Sequence, residues 1–579
     1  MDMFKRIIFI ILLGLTFVPD ICIAVHPVAK TSLGDIKGLQ LTDQETGDDV
    51  YEFRGIRYAK PPTGARRFRK PEPVDPWTGE YDATHFGYVC PQAVVEIFND
   101  GSKNQSEDCL FLNVYVPRSI TSEKRLSVMV WIHGGGLIMG NGHFYDGTRL
   151  AVDGDVVVVT INYRLGILGF LALYHPASRG NYGLWDQKMA LTWVHKHIHT
   201  FRGDPNSVTI FGMSSGGVSV SAQSLIPSNK GLFQRVIAQS GVISRNILVR
   251  KNVALKALTL LPPKTNCQSD DLYDFVDCLR QVDVKTLLDA SNYWNLMPHD
   301  KVSIEVTYSA AVDGELFPEH PIKMLENPNS DQSIFFRSLD FIAGTTSQEG
   351  ILYVSILPSV QEHFDFNVSV GIPSTFVCKG LLDPFVDLFY DGNQQMKDDA
   401  CKFYTSNGSL DEQSNRACDL FADMIFTSQT YEMLTFHSNN NVRKTYQYQF
   451  SKIGARRIVL PPKWFRGSEH GADLIYLFRT NQDFRSEMVD MSLTGPGTEM
   501  SKWLISLWTS FAKSGVPDAG QENIPWLEYE PVKQIYLDLG EELSLKQKLK
   551  SKAVKFWTDD ISSPDLVYAF KHNDIHEEL

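Results

Sequence analysis

The sequence predicts an α/β fold: a large, mostly parallel central sheet with helices on both faces and long insertions. Three observations predict it. Short runs of β-branched residues alternate with longer amphipathic stretches, an order that packs helices against a sheet from either side. One of these runs ends in a Gly-x-Ser-x-Gly turn that leads straight into a helical stretch, and another ends in a triple glycine. No internal repeat, low-complexity linker or charge block interrupts the 579 residues, so residues 25–575 are expected to form a single domain.

The chain opens with Lys5 and Arg6 ahead of the apolar run IIFIILLGLTFV at 7–18, and small residues follow in CIA at 22–24. That run is too short to span a bilayer. Residues 1–24 therefore read as a secretory signal peptide cut after Ala24, and no later segment is long and apolar enough for a membrane span. Buried strands are expected at LSVMVWIH (126–133), DVVVVTIN (155–162), SVTIFG (207–212), RVIAQSG (235–241), DFIAGTT (340–346) and KTYQYQF (444–450). DQKMALTWVHKHIHTF (186–201) has helical apolar spacing with an aspartate at its start, and MSKWLISLWTSFAKSG (500–515) is a late amphipathic helix ended by glycine. The last four residues, HEEL at 576–579, resemble the K-D-E-L and H-D-E-L retrieval signals. A retrieval receptor and residence in the endoplasmic reticulum lumen are expected, with secretion if that signal is not read.

Composition agrees with a folded, soluble chain: 43% hydrophobic and 21% charged residues. The formal charge of −13 argues against nucleic acid or anionic lipid as the main partner. Of eight cysteines, Cys22 lies in the signal. Cys90 with Cys109, and Cys267 with Cys278, could each close a loop, while Cys378, Cys401 and Cys418 admit one further bridge and a free thiol. Asn104, Asn367 and Asn407 each head an N-x-Ser sequon and are expected to carry glycans.

In TIFGMSSGGVSVSA (209–222) the chain must reverse within a few residues, which holds the middle residue, Ser214, in a strained conformation at the carboxyl end of the sheet. Gly212 and Gly216 leave room where a Cβ would collide. A hydroxyl so placed can attack a carbonyl. The turn alone is a common pattern, equally readable as a glycine-rich packing turn. In WIHGGGLIMG (131–140), consecutive glycines let backbone N–H groups converge on one point, as a developing oxyanion requires. Gly135 and Gly136 would supply two donors and the Ser215 amide a third. Serine also needs a base, and the base an orienting acid, met later in the chain. His363, His437, His470, His572 and His576 are candidates, of which His470 sits in a glycine-flanked loop, RGSEHGADL. Glu349 follows the DFIAGTT strand and is the candidate acid. Such chemistry uses no metal and no cofactor.

Taken together these residues resemble the carboxylesterase/cholinesterase family of α/β-hydrolases, and the termini are similar to those of its endoplasmic-reticulum carboxylesterases. The likeness runs in order from Val50 to Trp526, through YEFRGIRYAKPPTGARRF (51–68), SEDCLFLNVYVP (106–117), GNYGLWDQKMAL, FRGDPNSVTIFG, AVDGELFP (311–318) and WTSFAKSGVP (508–517). It implies an α/β-hydrolase fold, Ser214 as nucleophile, Glu349 as acid, His470 as base, and Gly135, Gly136 and Ser215 as oxyanion donors. It also implies bridges Cys90–Cys109 and Cys267–Cys278. The family's elbow usually reads Gly-Glu-Ser-Ala-Gly-Gly; here Met213 and Ser215 depart from it. Cholinesterases of the family hold a choline cation on a tryptophan in the first disulfide loop, whereas residues 91–108 here offer only Phe98, which speaks against acetylcholine. The expected activity is hydrolysis of neutral carboxylic esters, a small-molecule substrate class. The alternatives are a non-catalytic adhesion member of the fold and a lipase or sterol-ester hydrolase.

Overall fold

The computed structural model describes residues 26–42, 47, 49–92, 104–117, 125–243, 254–291, 308–354, 357–390, 392–405, 407–439, 442–454, 461–480, 497–520 and 524–560. Residues 1–24 (expected to be a signal peptide), the HEEL tail, His572, His576 and Phe98 lie outside them.

Among the described residues the central sheet has eleven strands. In chain order they are β1 (Leu39–Thr42), β2 (Asp49–Arg57), β3 (Phe111–Pro117), β4 (Leu126–Ile132), β5 (Val157–Ile161), β6 (Gly203–Met213), β7 (Arg235–Gln239), β8 (Asp340–Thr346), β9 (Thr445–Phe450), β10 (Ile535–Leu539) and β11 (Leu543–Gln547). Across the sheet the order is β11-β10-β9-β8-β7-β6-β4-β5-β3-β2-β1. From β10 to β5 neighbours run parallel, and β1, β2, β3 and β11 attach antiparallel at the two edges. This is the α/β-hydrolase arrangement expected. The switch point falls between β4 and β6, where the chain leaves β4 for β5 on one side and returns as β6 on the other; clefts in open parallel sheets form at such points, beyond the carboxyl ends.

Both faces of the sheet are covered, which explains the unbroken apolar runs of the central strands. Side chains alternate between faces as the pleat dictates. Val128, Val130 and Ile132 enter one core with Val208, Ile210, Val236 and Ala238. Met129 and Trp131 enter the other with Phe211, Ile237 and Tyr448, beneath α3 (Gly497–Ser514). A third cluster, built from residues 351–424 with Trp464 and Trp557, is the long insertion.

The helix expected from residue 186 starts a turn earlier, as α1 (Tyr182–His197), and residues 198–201 tighten into a 3-10 turn. Asp186 does not cap it. Its fully buried carboxylate accepts from the Arg164 backbone N–H at 3.0 Å and from Nε and Nη2 at 2.7 Å each, so the aspartate belongs to a buried ion pair inside the helix. Asn181, in the left-handed region at φ 59°, occupies the cap position instead.

Disulfides join Cys90 to Cys109 and Cys267 to Cys278. The pairing left open resolves as Cys378–Cys401 within the insertion, with Cys418 buried and free. Burial pushes the Cys418 thiol well above its ordinary value, so the thiolate is scarce. Iodoacetamide is expected to leave Cys418 untouched in the native protein and to alkylate it once denaturant is added, without reductant; peptide mass mapping reads this out. Alkylation at native pH 7.5 would contradict the burial.

Candidate active site

Four of the sequence-predicted groups lie beyond the carboxyl ends of parallel strands: the glycine loop after β4, Ser214 after β6, Glu349 after β8 and His470 after β9. Ser214 sits at φ 60° and ψ −127°, a conformation that costs a non-glycine residue on the order of 1–3 kcal/mol. Close packing imposes it. A Cβ on Gly216 would lie 2.1 Å from the Ile132 carbonyl oxygen, and one on Gly212 would lie 2.6 Å from Gly216 and from that same oxygen. The Ser214 N–H donates to the Gln239 carbonyl at 2.8 Å, tying the turn to the end of β7. Helix α2 (Ser215–Gln223) starts immediately after, with its positive end at the serine.

Glu349 is fully buried. Its Oε1 accepts from the Ser240 hydroxyl and the Thr346 N–H, both at 2.6 Å. Its Oε2 accepts from His470 Nδ1 at 2.5 Å. Holding one ring nitrogen this way leaves Nε2 as the free acceptor, and Nε2 is buried with no hydrogen-bond partner among the described residues. Phe426 packs on the same imidazole, ring centroids 5.1 Å apart. The acid and base loops are zipped together. Gln348 N–H donates to Ser468 O at 2.9 Å and Ser468 N–H to Ser347 Oγ at 2.8 Å.

Of the other histidines, His363 is exposed. His437 is a core group: its Nδ1 contacts Thr445 Oγ1 at 2.7 Å and its Nε2 contacts Leu339 O at 2.9 Å, and burial pushes it down to about 4.

Between β4 and α2 the glycine loop turns through positive φ at Gly135 (116°), Gly136 (63°) and Leu137 (62°). A Cβ on Gly135 would meet the Met139 carbonyl oxygen at 2.1 Å, so this position requires glycine. Among the described residues no carbonyl takes the Gly135 or Gly136 amide hydrogen. Gln92 braces the loop's far end, its Nε2 donating to Gly140 O at 3.0 Å and its Oε1 accepting the Gly140 N–H at 2.8 Å. Met213 is half-buried and packs against the aromatic core under α3, so the position next to the serine carries no charge.

The sequence reading missed Asp473, three residues beyond His470. A carboxylate at that helical spacing from the base was the available signal. Asp473 is fully buried; its Oδ2 accepts from Gln239 Nε2 at 2.7 Å and Tyr448 OH at 3.3 Å, while Oδ1 has no partner among the described residues. Burial pushes its carboxyl up to about 6; the Gln239 hydrogen bond opposes that rise and the Glu349 charge adds to it.

An elbow serine, a glycine loop and a histidine–glutamate pair on the carboxyl edge of this sheet define the α/β-hydrolase class. The chain belongs to the Carboxylesterase family, whose sequence model matches residues 25–557. Carboxylesterase 1D of Rattus norvegicus is 33% identical over 548 residues, 92% of this chain and 93% of that protein. Liver carboxylesterase of Sus scrofa is 33% identical over 556 residues, 93% of each chain. Bile salt-activated lipase of Homo sapiens is 32% identical over 580 residues, 95% of this chain and 71% of that protein. The protein is a carboxylic ester hydrolase.

The raised Asp473 carboxyl has a consequence for stability. Because its folded-state value lies above the ordinary 3.8, the folded state binds the proton more tightly, and that advantage is lost as pH rises from about 4 to about 6. At neutral pH the buried charge then costs on the order of 3 kcal/mol. Asp473→Asn should therefore raise Tm more at pH 7.5 than at pH 4.5. An equal shift at both pH values would contradict this.

Proposed function

We propose that this hydrolase cleaves neutral carboxylic esters through a covalent acyl-enzyme carried by Ser214. The single observation behind the reading is the His470 Nδ1 bond to buried Glu349 Oε2 at 2.5 Å, which turns Nε2 out as the free base. Ser214 Oγ attacks the carbonyl carbon while His470 Nε2 takes its proton. Negative charge collects on the former carbonyl oxygen, opposite the amides of Gly135, Gly136 and Ser215. His470 returns the proton to the alkoxide leaving group, the alcohol departs, and water repeats the attack to release the acid. Glu349 fixes the imidazole tautomer and stabilises the imidazolium. Apolar Met213 beside the nucleophile offers nothing to a cationic substrate, which supports the neutral class.

The cellular reading goes with this: a signal peptide at 1–24, one catalytic domain over 25–575, and retrieval to the endoplasmic reticulum lumen through HEEL at 576–579. Three disulfides suit an oxidising compartment, and Asn104, Asn367 and Asn407 are all exposed, as glycan acceptors must be. A second reading, a lipase acting at lipid surfaces, draws on the similarity to Bile salt-activated lipase.

Ser214→Ala should lower kcat by ~10⁴-fold or more and abolish labelling by a fluorophosphonate; Glu349→Gln should lose less, since orientation is lost but the base remains. Retained activity in Ser214→Ala would end the proposal. Rates on short soluble esters are expected to exceed those on emulsified long-chain esters, and the reverse order would favour the lipase.

A further inference from the structure

Ser215 stands where the family's elbow usually has alanine, and its side chain is engaged. The Ser215 hydroxyl oxygen accepts the Leu137 N–H at 3.1 Å. The Ser215 and Ser219 side chains lie near the Tyr163 phenol. Tyr163 in turn donates its OH to the His133 carbonyl oxygen at 2.8 Å and stacks on the His133 ring at 4.4 Å between centroids. Leu137 and His133 are the two residues that bracket Gly134, Gly135 and Gly136. The two bonds hold the two ends of the loop: Leu137 N–H to Ser215 Oγ at one, and Tyr163 OH to His133 O at the other. All four residues are buried. Water has little access to compete for these bonds.

A run of three glycines has more backbone freedom than any other tripeptide, and that freedom blurs where its amides point. Oxyanion donors act through being fixed before charge develops, so their yield depends on what pins the loop. Leu137 O also accepts the Gly166 N–H at 2.8 Å, Gln92 holds Gly140, and the Ile138 and Met139 N–H groups donate to Gly135 O at 3.1 and 3.0 Å. The Ser215 bond differs from these in joining the loop to the residue that follows the nucleophile.

We infer that Ser215 is a positioning residue: its hydroxyl ties the Leu137 end of the glycine loop to the elbow, Tyr163 holds the His133 end, and together they set the Gly135 and Gly136 amides relative to Ser214. This rests on the acyl-transfer reading above. Loop and nucleophile thus move as one body, and the tie acts on the transition state, where charge sits on oxygen, more than on the bound ester.

The experiment compares wild type, Ser215→Ala, Tyr163→Phe and the double variant, each checked for fold by Tm and near-ultraviolet circular dichroism. A p-nitrophenyl ester gives kcat and KM, a trifluoromethyl ketone reports binding of a tetrahedral adduct, and a fluorophosphonate counts reactive Ser214. Ser215→Ala keeps its backbone amide, so kcat should fall about tenfold, well short of losing a donor outright, with KM changed less than twofold. Ketone affinity should fall in parallel with kcat. The double variant should lose less than the product of the two single losses, because both bonds hold one loop. Full fluorophosphonate labelling with unchanged kcat in Ser215→Ala overturns the tie alone, as does a loss confined to KM or losses that multiply in the double variant. If Ser215→Ala folds poorly, Tyr163→Phe carries the same kinetic test. Wild-type protein that takes up no fluorophosphonate overturns the acyl-transfer reading itself, and the tie falls with it.

Discussion

The site depends on how closely the backbone at the end of β6 can approach the ends of its neighbours. Gly212 and Gly216 let the elbow press on the Ile132 carbonyl, and Gly241 does the same on the other side, where a Cβ would lie 2.2 Å from Ser214 O. Three strand ends are thereby drawn into contact at the switch point. The Ser214 N–H donates to Gln239 O, and the next residue, Ser240, turns through φ 49° to give its hydroxyl to Glu349. The end of β7 therefore fixes the nucleophile's backbone and the acid's carboxylate within two consecutive residues. Widening the β6–β7 contact by one methyl group would displace both at once. That is why the parallel register of these strands matters to chemistry and not only to stability.

Electrostatics follow from the same crowding. Glu349 has both oxygens occupied by three donors, so it is spent on orienting His470 and not on solvent. Asp473, in contrast, keeps one oxygen unpartnered within the field of Glu349, an arrangement that favours its protonated form more than an isolated aspartate. With its carboxyl raised to about 6, Asp473 is mostly charged at neutral pH, so its burial beside Glu349 is a stability cost that the site carries.

Much of this was legible in the sequence, and for a physical reason. Strands of β-branched residues buried on both faces need no tertiary information to be recognised, and β8 spans the same seven residues expected of it. The elbow and the triple glycine are common patterns alone, but each ends a predicted strand, and that setting made Ser214, Gly135 and Gly136 candidates from local sequence. His470 and Glu349 were harder. They lie 121 positions apart, and their loops meet only through bonds such as Gln348 to Ser468, which leave no local pattern. Their places after strands, and for His470 a glycine-flanked loop, made them candidates, and the family resemblance sharpened that choice. Asp186 misled because a helix-start aspartate and a buried ion-pair aspartate look alike until Arg164 is seen beside it. The third disulfide was open for a similar reason: three cysteines in an insertion permit three pairings, and only packing separates buried Cys418 from the other two.

The insertion also brings the chain's late residues to the base. Lys550 pairs with Asp419 and Asp423 at 2.9 Å each, and Asp419 accepts from Gln348 Nε2, the neighbour of Glu349, at 3.1 Å. Asp423 further receives the Tyr404 hydroxyl, which in turn accepts from Trp557 Nε1. Asp423 and Phe426 belong to one π-wound stretch, Ala422–Thr427, whose wider turn carries the carboxylate toward Lys550 and the phenyl ring toward His470. An ordinary α-helix would rotate one of the two out of place. Since removing one partner of a buried ion pair costs more than the pair is worth, the winding and the ion pair hold each other. The aromatic wall of the base is thus fixed by a charge cluster on the far side of the insertion, so packing there bears on the imidazole without touching it.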